Sequence, residues 1–283
     1  MEKNIPPERP FSVWRFAIVV GTTLTLFLTA FSLTCPTTWQ NQLSASRISY
    51  LGIFILGQVT CCFAEWFFHR YILHAAPIGF LKRLCKQHTL HHALTTVRLV
   101  NSPDGKRWVF NRYPILEERQ HEASYFPWYT LSGFFLFSLP FIIPLQIAFP
   151  TSPVILMVWV AITWSIIFYE IVHATEHLSY EKFWQKKIEH RLFGSLWQKF
   201  YVFHLRHHAD IKANEGISGF LCGIPLADLI LGTYAPWSEV FTHRKETTEA
   251  VFEARPPRPR PIVLWLDRIV EKRMAKASKQ TAP

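Results

Sequence analysis

Four long apolar runs set the frame of this chain. The first extends from Trp14 to Thr34 and carries no charge after Arg15. The second, Ile48 to Phe68, holds one charged residue, Glu65, near its end. The third, Phe126 to Phe149, is interrupted by Pro140 and Pro144, and the fourth, Pro153 to Val172, has Glu170 near its end. About 20 apolar residues at 1.5 Å rise cross the roughly 30 Å of a bilayer core. Each run therefore predicts a membrane-spanning helix, and proline inside the third predicts a kink. A cleaved signal peptide fits the first run less well, because the run is too long and lacks a small-x-small cleavage site.

Polar segments alternate between short and long. Residues 35–47 and 149–153 are short and hold a single cation, Arg47. The first arm, the 70–125 segment and everything after residue 178 are rich in Lys and Arg. By the positive-inside rule both termini and both long segments face the cytoplasm. The expected fold is all-α and integral to a membrane, with four transmembrane helices in two hairpins beneath a cytosolic helical cap rich in histidine. One domain covers residues 1–283. Within it lie an arm (1–13), a first hairpin (14–68), a cytosolic segment (69–125), a second hairpin (126–172), a second cytosolic segment (173–243) and a basic tail (244–283). Asn101-Ser102-Pro103-Asp104-Gly105 marks a turn, and Tyr113 to Glu118 caps the site, lies along the interface or forms a solvated loop. Residues 179–203 read as an amphipathic interfacial helix. Residues 216–234 are apolar but broken by Gly219, Gly223 and Pro225, so they pack over the site rather than span. The tail ends in a short helix.

Composition sharpens this picture only in places. The 283 residues are 49% hydrophobic and 16% aromatic, little above an ordinary domain in total. The difference is that the apolar residues are bunched. The net charge is +10. No basic helix is interleaved with base-reading aromatics, so an anionic membrane surface is the expected partner and nucleic acid is not. The five cysteines, Cys35, Cys61, Cys62, Cys85 and Cys222, form no spaced CxxC pair. That pattern excludes a disulfide framework and zinc-thiolate chemistry and suits a reducing compartment.

The chemistry lies in histidine. Four clusters read His69-x4-His74, His88-x2-His91-His92, His173-x3-His177 and His204-x2-His207-His208, ten of the 13 histidines in the chain. Each pair of clusters follows an apolar hairpin. Neutral imidazole is the commonest metal ligand and suits zinc, copper, iron and nickel. Ten imidazoles are too many for one ion, so two metals are expected. Residues three and four apart share a helix face. On that ground His88, His91 and His92 point one way, as do His204, His207 and His208, and His173 pairs with His177. His69 and His74 lie about 140° apart on an ideal helix, so that pair needs a local distortion or serves two metals. Glu65 and Glu170, one turn before His69 and His173, and Asp210 and Asn214, just after the last cluster, are candidates to orient the ligands. His121, His190 and His243 stand outside the clusters and carry no expected metal role.

The motif order HX4H, HX2HH, HX3H, HX2HH resembles the fatty acid hydroxylase (sterol desaturase-like) superfamily of membrane di-iron oxygenases. The string His69-Arg70-Tyr71-Ile72-Leu73-His74 looks most like its fatty acid alpha-hydroxylase branch. Asp228-Leu229-Ile230-Leu231-Gly232-Thr233 is similar to the D-x3-GT stretch of that superfamily. The resemblance spans about residues 50–235 and is specific as a set. It implies two Fe ions held by the clustered histidines, O2 as co-substrate, and oxidation of an unactivated C–H bond of a lipid. The product is an alcohol or, by loss of a second hydrogen, an alkene. Such chemistry belongs to the metals, and the protein supplies position and electrostatics. No haem domain is fused at either end, so a separate donor, a b-type cytochrome or a ferredoxin with its reductase, is expected. A bacterial inner membrane or the endoplasmic reticulum would both suit. A desaturase or oxidase of the same superfamily acting on a sterol, hopanoid or carotenoid is the nearest alternative. A metal transporter or metal-binding scaffold is more remote, since transport sites place ligands near the bilayer midplane.

Overall fold

The computed structural model describes residues 12–75, 79–101, 105–124, 126–217, 219 and 223–280. Ser102 to Asp104 of the expected turn, Cys222 and most of the N-terminal arm lie outside them, as does the side chain of His121. The chain is mostly helical, with four helices long and apolar enough to cross a membrane: α1 (Val13–Thr34), α3 (Arg47–Phe67, continued to Leu73), α6 (Thr130–Ala148) and α7 (Val154–Glu176). Their outer faces carry exposed side chains such as Ile18, Leu51, Phe137 and Ile147, which suits lipid rather than water as their solvent.

The expected bounds shift in informative ways. Ser12 and Ser46 cap α1 and α3, accepting from the N–H groups of Arg15 and Ser49, so both helices begin one residue before the apolar run. α6 starts four residues after the apolar run does, and Pro140 and Pro144 both sit inside it. α7 continues past Val172 to Glu176, so His173 lies on the helix rather than beyond it. Between α1 and α3 the connection folds into a short helix, α2 (Pro36–Leu43).

α7 is the central helix, packing against α3, α6 and α1. Phe135 and Trp159 stack at 5.1 Å between α6 and α7, and Phe27 and Phe31 of α1 meet the same Trp159 edge-on. α3 approaches α7 at Gly57, where an added Cβ would stand 2.8 Å from the Ala161 Cβ. Buried Gln58 Nε2 donates to the Ala161 carbonyl at 2.8 Å beside it. Gln146 donates to the carbonyls of Phe149 and Ser152 and accepts from Ile155 N–H, satisfying the α6–α7 turn.

The two polar segments build the rest. α4 (Lys82–Leu94) carries the second histidine cluster. Strands β1 (Val97–Asn101) and β2 (Arg107–Asn111) follow as an antiparallel hairpin that the sequence pattern did not predict, and then α5 (Glu118–Ser124). The 179–203 region is not one interfacial helix. It is a π-helical turn (Tyr180–Trp184), α8 (Gln185–Ile188) and the start of α9 (Gly194–His207). α10 (Leu226–Leu231) and α11 (Glu249–Phe252) are short, whereas α12 (Pro261–Gln280) is 20 residues long, not the short helix expected. A second core of Val97, Val109, Trp184, Tyr201, Leu205 and Phe241 joins the hairpin to α9 and the 237–252 segment.

Candidate metal centre

All ten clustered histidines converge, and they sort into two groups of five. His69, His74, His88, His92 and His207 form the first; His91, His173, His177, His204 and His208 form the second. Within each group the candidate ligand atoms lie within 4.8 Å of one another. The groups are adjacent, with His92 of the first stacked on His208 of the second at 4.2 Å.

The HxxHH clusters do not point one way, as sharing a face had suggested. His88 and His92 enter the first group and His91 the second; His204 and His208 enter the second and His207 the first. The reason is helical geometry. Residues four apart diverge by about 40°, but residues three and four on from the same start diverge from each other by about 100°. Each HxxHH motif therefore gives an i, i+4 pair to one group and a single ring to the other.

The first cluster solves its spacing by distortion. After Phe67 the helix continues as a π-helical turn, Phe68–Leu73, with His74 at its end. In a π-helix residue i bonds to i+5, so His69 and His74 come onto one face and into one group. Their ring centroids lie 5.0 Å apart.

Hydrogen bonds set the tautomers. His69 Nδ1–H donates to the Glu215 carbonyl at 2.6 Å, His207 Nδ1–H to the Ala213 carbonyl at 2.8 Å, and His177 Nδ1–H to the Tyr113 carbonyl at 2.7 Å. Ser124 Oγ donates to the Gln120 carbonyl and so accepts from His91 Nδ1–H. Thr95 Oγ1 donates to the His91 carbonyl and accepts from His208 Nδ1–H. A neutral imidazole with its proton on Nδ1 has a bare lone pair on Nε2. In these five rings that lone pair faces inward.

The inward atoms crowd. Nε2···Nε2 separations are 2.9 Å for His69–His88, 3.1 Å for His74–His207, 3.2 Å for His173–His91 and 3.1 Å for His208–His204. At this distance two neutral rings either share one Nε2 proton as a hydrogen bond or turn both lone pairs to a common cation. Metal–nitrogen bonds of about 2.1 Å put right-angled neighbours about 3.0 Å apart and tetrahedral ones about 3.4 Å apart. The neighbouring donors, 2.9–3.3 Å apart, fall in this range, and each group could hold a metal ion.

Burial keeps the rings ready. It holds His74, His88, His91, His92, His204 and His208 well below the usual imidazole range, and neighbouring rings push the same way. Burial lowers His177 to about 3 and His207 to about 4. The lone pairs are thus free at neutral pH, which metal binding requires.

The four residues expected to orient ligands fare differently. Glu65 is half-buried on α3, one turn before His69. Glu170 does not orient His173; its Oε1 accepts from Phe126 N–H at 3.0 Å. Asp210 accepts from Lys212 N–H and faces Arg206 at 3.8 Å, away from the rings. Asn214 bridges the Phe203 carbonyl and Ala235 N–H with a left-handed backbone (φ 55°), so it shapes the loop without touching a ring. His190 and His243 accept backbone N–H groups outside the centre.

The groups that do orient the rings are mostly backbone carbonyls, which leave no signal in a sequence. Ser124 and Thr95 act through side-chain hydroxyls, and Asp228 acts one step behind the carbonyls. Its carboxylate accepts from the N–H groups of Glu215 and Gly216 and from Thr233 Oγ1, pinning the loop whose carbonyls hold His69 and His207. Gly232 ends α10 at φ 79°, and a Cβ there would lie 2.2 Å from the Arg258 carbonyl oxygen. The D-x3-GT stretch is therefore the staple beneath the first group. Arg70 completes it, donating to Glu215 Oε1, the Lys212 carbonyl and, bidentately, Asp267 of α12.

A small open pocket of about 30 Å³ lies beside the first group, lined by Leu73, Leu84, Gln87, His88, Ser124, Phe126 and Tyr169. Comparison of the chain with family models, curated proteins and solved structures found no match.

Proposed function

We propose that the protein is an O2-dependent membrane oxygenase of the fatty acid hydroxylase superfamily that holds two iron ions and hydroxylates a C–H bond of a lipid acyl chain. The observation that carries this reading is the paired centre: two abutting sets of five inward Nε2 donors at the ends of apolar helices. Iron in such a nitrogen-rich site supplies O2 activation and one-electron chemistry.

The chain's own residues do the rest. His69, His74, His88, His92 and His207 hold one ion, and His91, His173, His177, His204 and His208 the other. Glu215 and Ala213 carbonyls, Tyr113, Ser124 and Thr95 fix the ring tautomers, keeping each proton on Nδ1. The small pocket against His88 has apolar walls in Leu73, Leu84, Phe126 and Tyr169 and polar ones in Gln87 and Ser124, so an alkyl chain arriving from the bilayer would have to widen it to reach the first group. Tyr113, fully buried and 4.3 Å from the His177 ring, excludes water from the far side. In this reading the spans form two hairpins, the histidine cap and both termini lie in the cytoplasm, and a separate b-type cytochrome or ferredoxin delivers electrons. The Lys- and Arg-rich distribution of the polar segments supports that sidedness.

The test is metal analysis of the purified protein in lipid nanodiscs, together with mass spectrometry of lipids after turnover with reductant and 18O2. Two irons per chain and an alcohol carrying 18O are expected. An alkene without 18O would shift the assignment to the desaturase reading. Metal-free protein, or no O2 consumption with a lipid and reductant present, would overturn the oxygenase reading.

A further inference from the structure

α12 carries two apolar faces, and the chemistry above uses only one. Its inner face, Val263, Leu266 and Val270, packs on Phe63 and Trp66 of α3 and on α10. Asp267, anchored to Arg70 and Tyr71, fixes it there. Its outer face presents Ile262 and Trp265, 52% and 55% exposed. Alongside, α10 presents Leu229 and Ile230, each about half exposed, and α3 presents Phe67. Neither element is among the helices long and apolar enough to span. α10 has six residues, and α12 gathers Asp267, Arg268, Glu271, Lys272 and Arg273 along its length.

An apolar face of this kind in contact with water is costly, and contiguous exposed patches mark an interaction site. Its position names the occupant. The shelf packs on the last turns of α3, a helix apolar enough to span, so its outer face is carried at the depth where that span ends. Exposed cations border it: Arg258 and Arg260 before α12, and Arg268 and Lys272 on it. Apolar side chains flanked by Lys and Arg are what an in-plane helix presents to anionic headgroups.

We propose that α10 and the first half of α12 form a shelf seated in the headgroup layer of the bilayer that α3 crosses, with anionic lipid as its partner. This rests on α3 being a membrane span and not on the metals or the reaction. The full-length protein in nanodiscs of equimolar phosphatidylcholine and phosphatidylglycerol tests it by photocrosslinking. Trp265→p-benzoylphenylalanine and Ile230→p-benzoylphenylalanine should form lipid adducts, with phosphatidylglycerol captured at least twofold over phosphatidylcholine. Glu246→p-benzoylphenylalanine, on the exposed segment beside the β-hairpin, should form none. Leu51→p-benzoylphenylalanine, exposed on α3, reports the span itself. Adducts at 51 but none at 265 and 230 would overturn the shelf alone, as would crosslinks from 265 to a second copy of the chain. Equal capture of the two lipids would overturn the anionic preference. No lipid adduct at 51 would overturn the spanning reading, and the shelf with it.

Discussion

The two histidine groups have the same donors and opposite surroundings. In the second, all five rings are buried, and their partners are uncharged: the Tyr113 carbonyl and the hydroxyls of Ser124 and Thr95. In the first, His74 and His92 are only half-buried, a pocket reaches His88, and the frame is ionic, running Asp267–Arg70–Glu215 behind His69. Glu215 Oε2 lies 3.6 Å from the His69 ring nitrogen that its own carbonyl accepts from. A closed, neutral group is suited to hold its ion, whereas an open, charged one can admit another molecule. The difference assigns the pocket side of the centre to the first group.

Removing a donor should have the largest effect. His207→Ala is expected to abolish turnover and to lower bound metal from two ions to one per chain, measured by elemental analysis. His173→Ala should abolish turnover equally, with the loss falling on the other ion. Full metal and full turnover in His207→Ala would end the ligand assignment. Next is Asp267→Asn. It leaves buried Arg70 short of a charged partner, a change that costs about 3–5 kcal/mol where burial is complete. First-group metal affinity should fall 10–100-fold, the range for partners behind a ligand, while the second ion stays. Chelator titration resolves the two, and equal weakening of both would break the comparison. Ser124→Ala is the mirror case, with a smaller loss of about 10-fold confined to the second group.

Acidification should produce the mildest change. An ordinary imidazole takes a proton near pH 6.5, but burial keeps His207 neutral to about 4 and His177 to about 3. Metal content should therefore hold from pH 7.5 to about 5 and fall only towards 4. A release midpoint near 6.5 would contradict the burial argument. The same shift makes the metal-free fold less stable as pH drops below 6.5, because the unfolded chain then binds protons that the folded chain refuses.

Much of this centre could be read before any coordinates. Trp14 to Thr34 is apolar over enough residues to cross a bilayer, and the helix formed is Val13–Thr34. The ten histidines stood out by number and spacing, and all ten meet. Their partition did not stand out, because His91 and His92 are neighbours in sequence and belong to different groups in space. Glu170 looked like a partner of His173 by helical spacing alone, yet it serves Phe126. The β-hairpin was missed although its turn at 101–105 was read, because the short flanking runs Val97–Asn101 and Arg107–Asn111 mix apolar and basic residues and were not read as strands.

The sequence by itself determined the local quantities: four apolar lengths, the helical phase of each histidine motif, and the Gly and Asp of the staple at 228–233. Those follow from residue type and spacing within a few turns. Only the tertiary structure decided which ring serves which group, which carbonyl fixes which tautomer, and that Asp267 closes the frame around Arg70, 197 residues away in the chain. Such pairings are set by packing between distant elements, and backbone carbonyls are identical in every residue, so no pattern of side chains announces them.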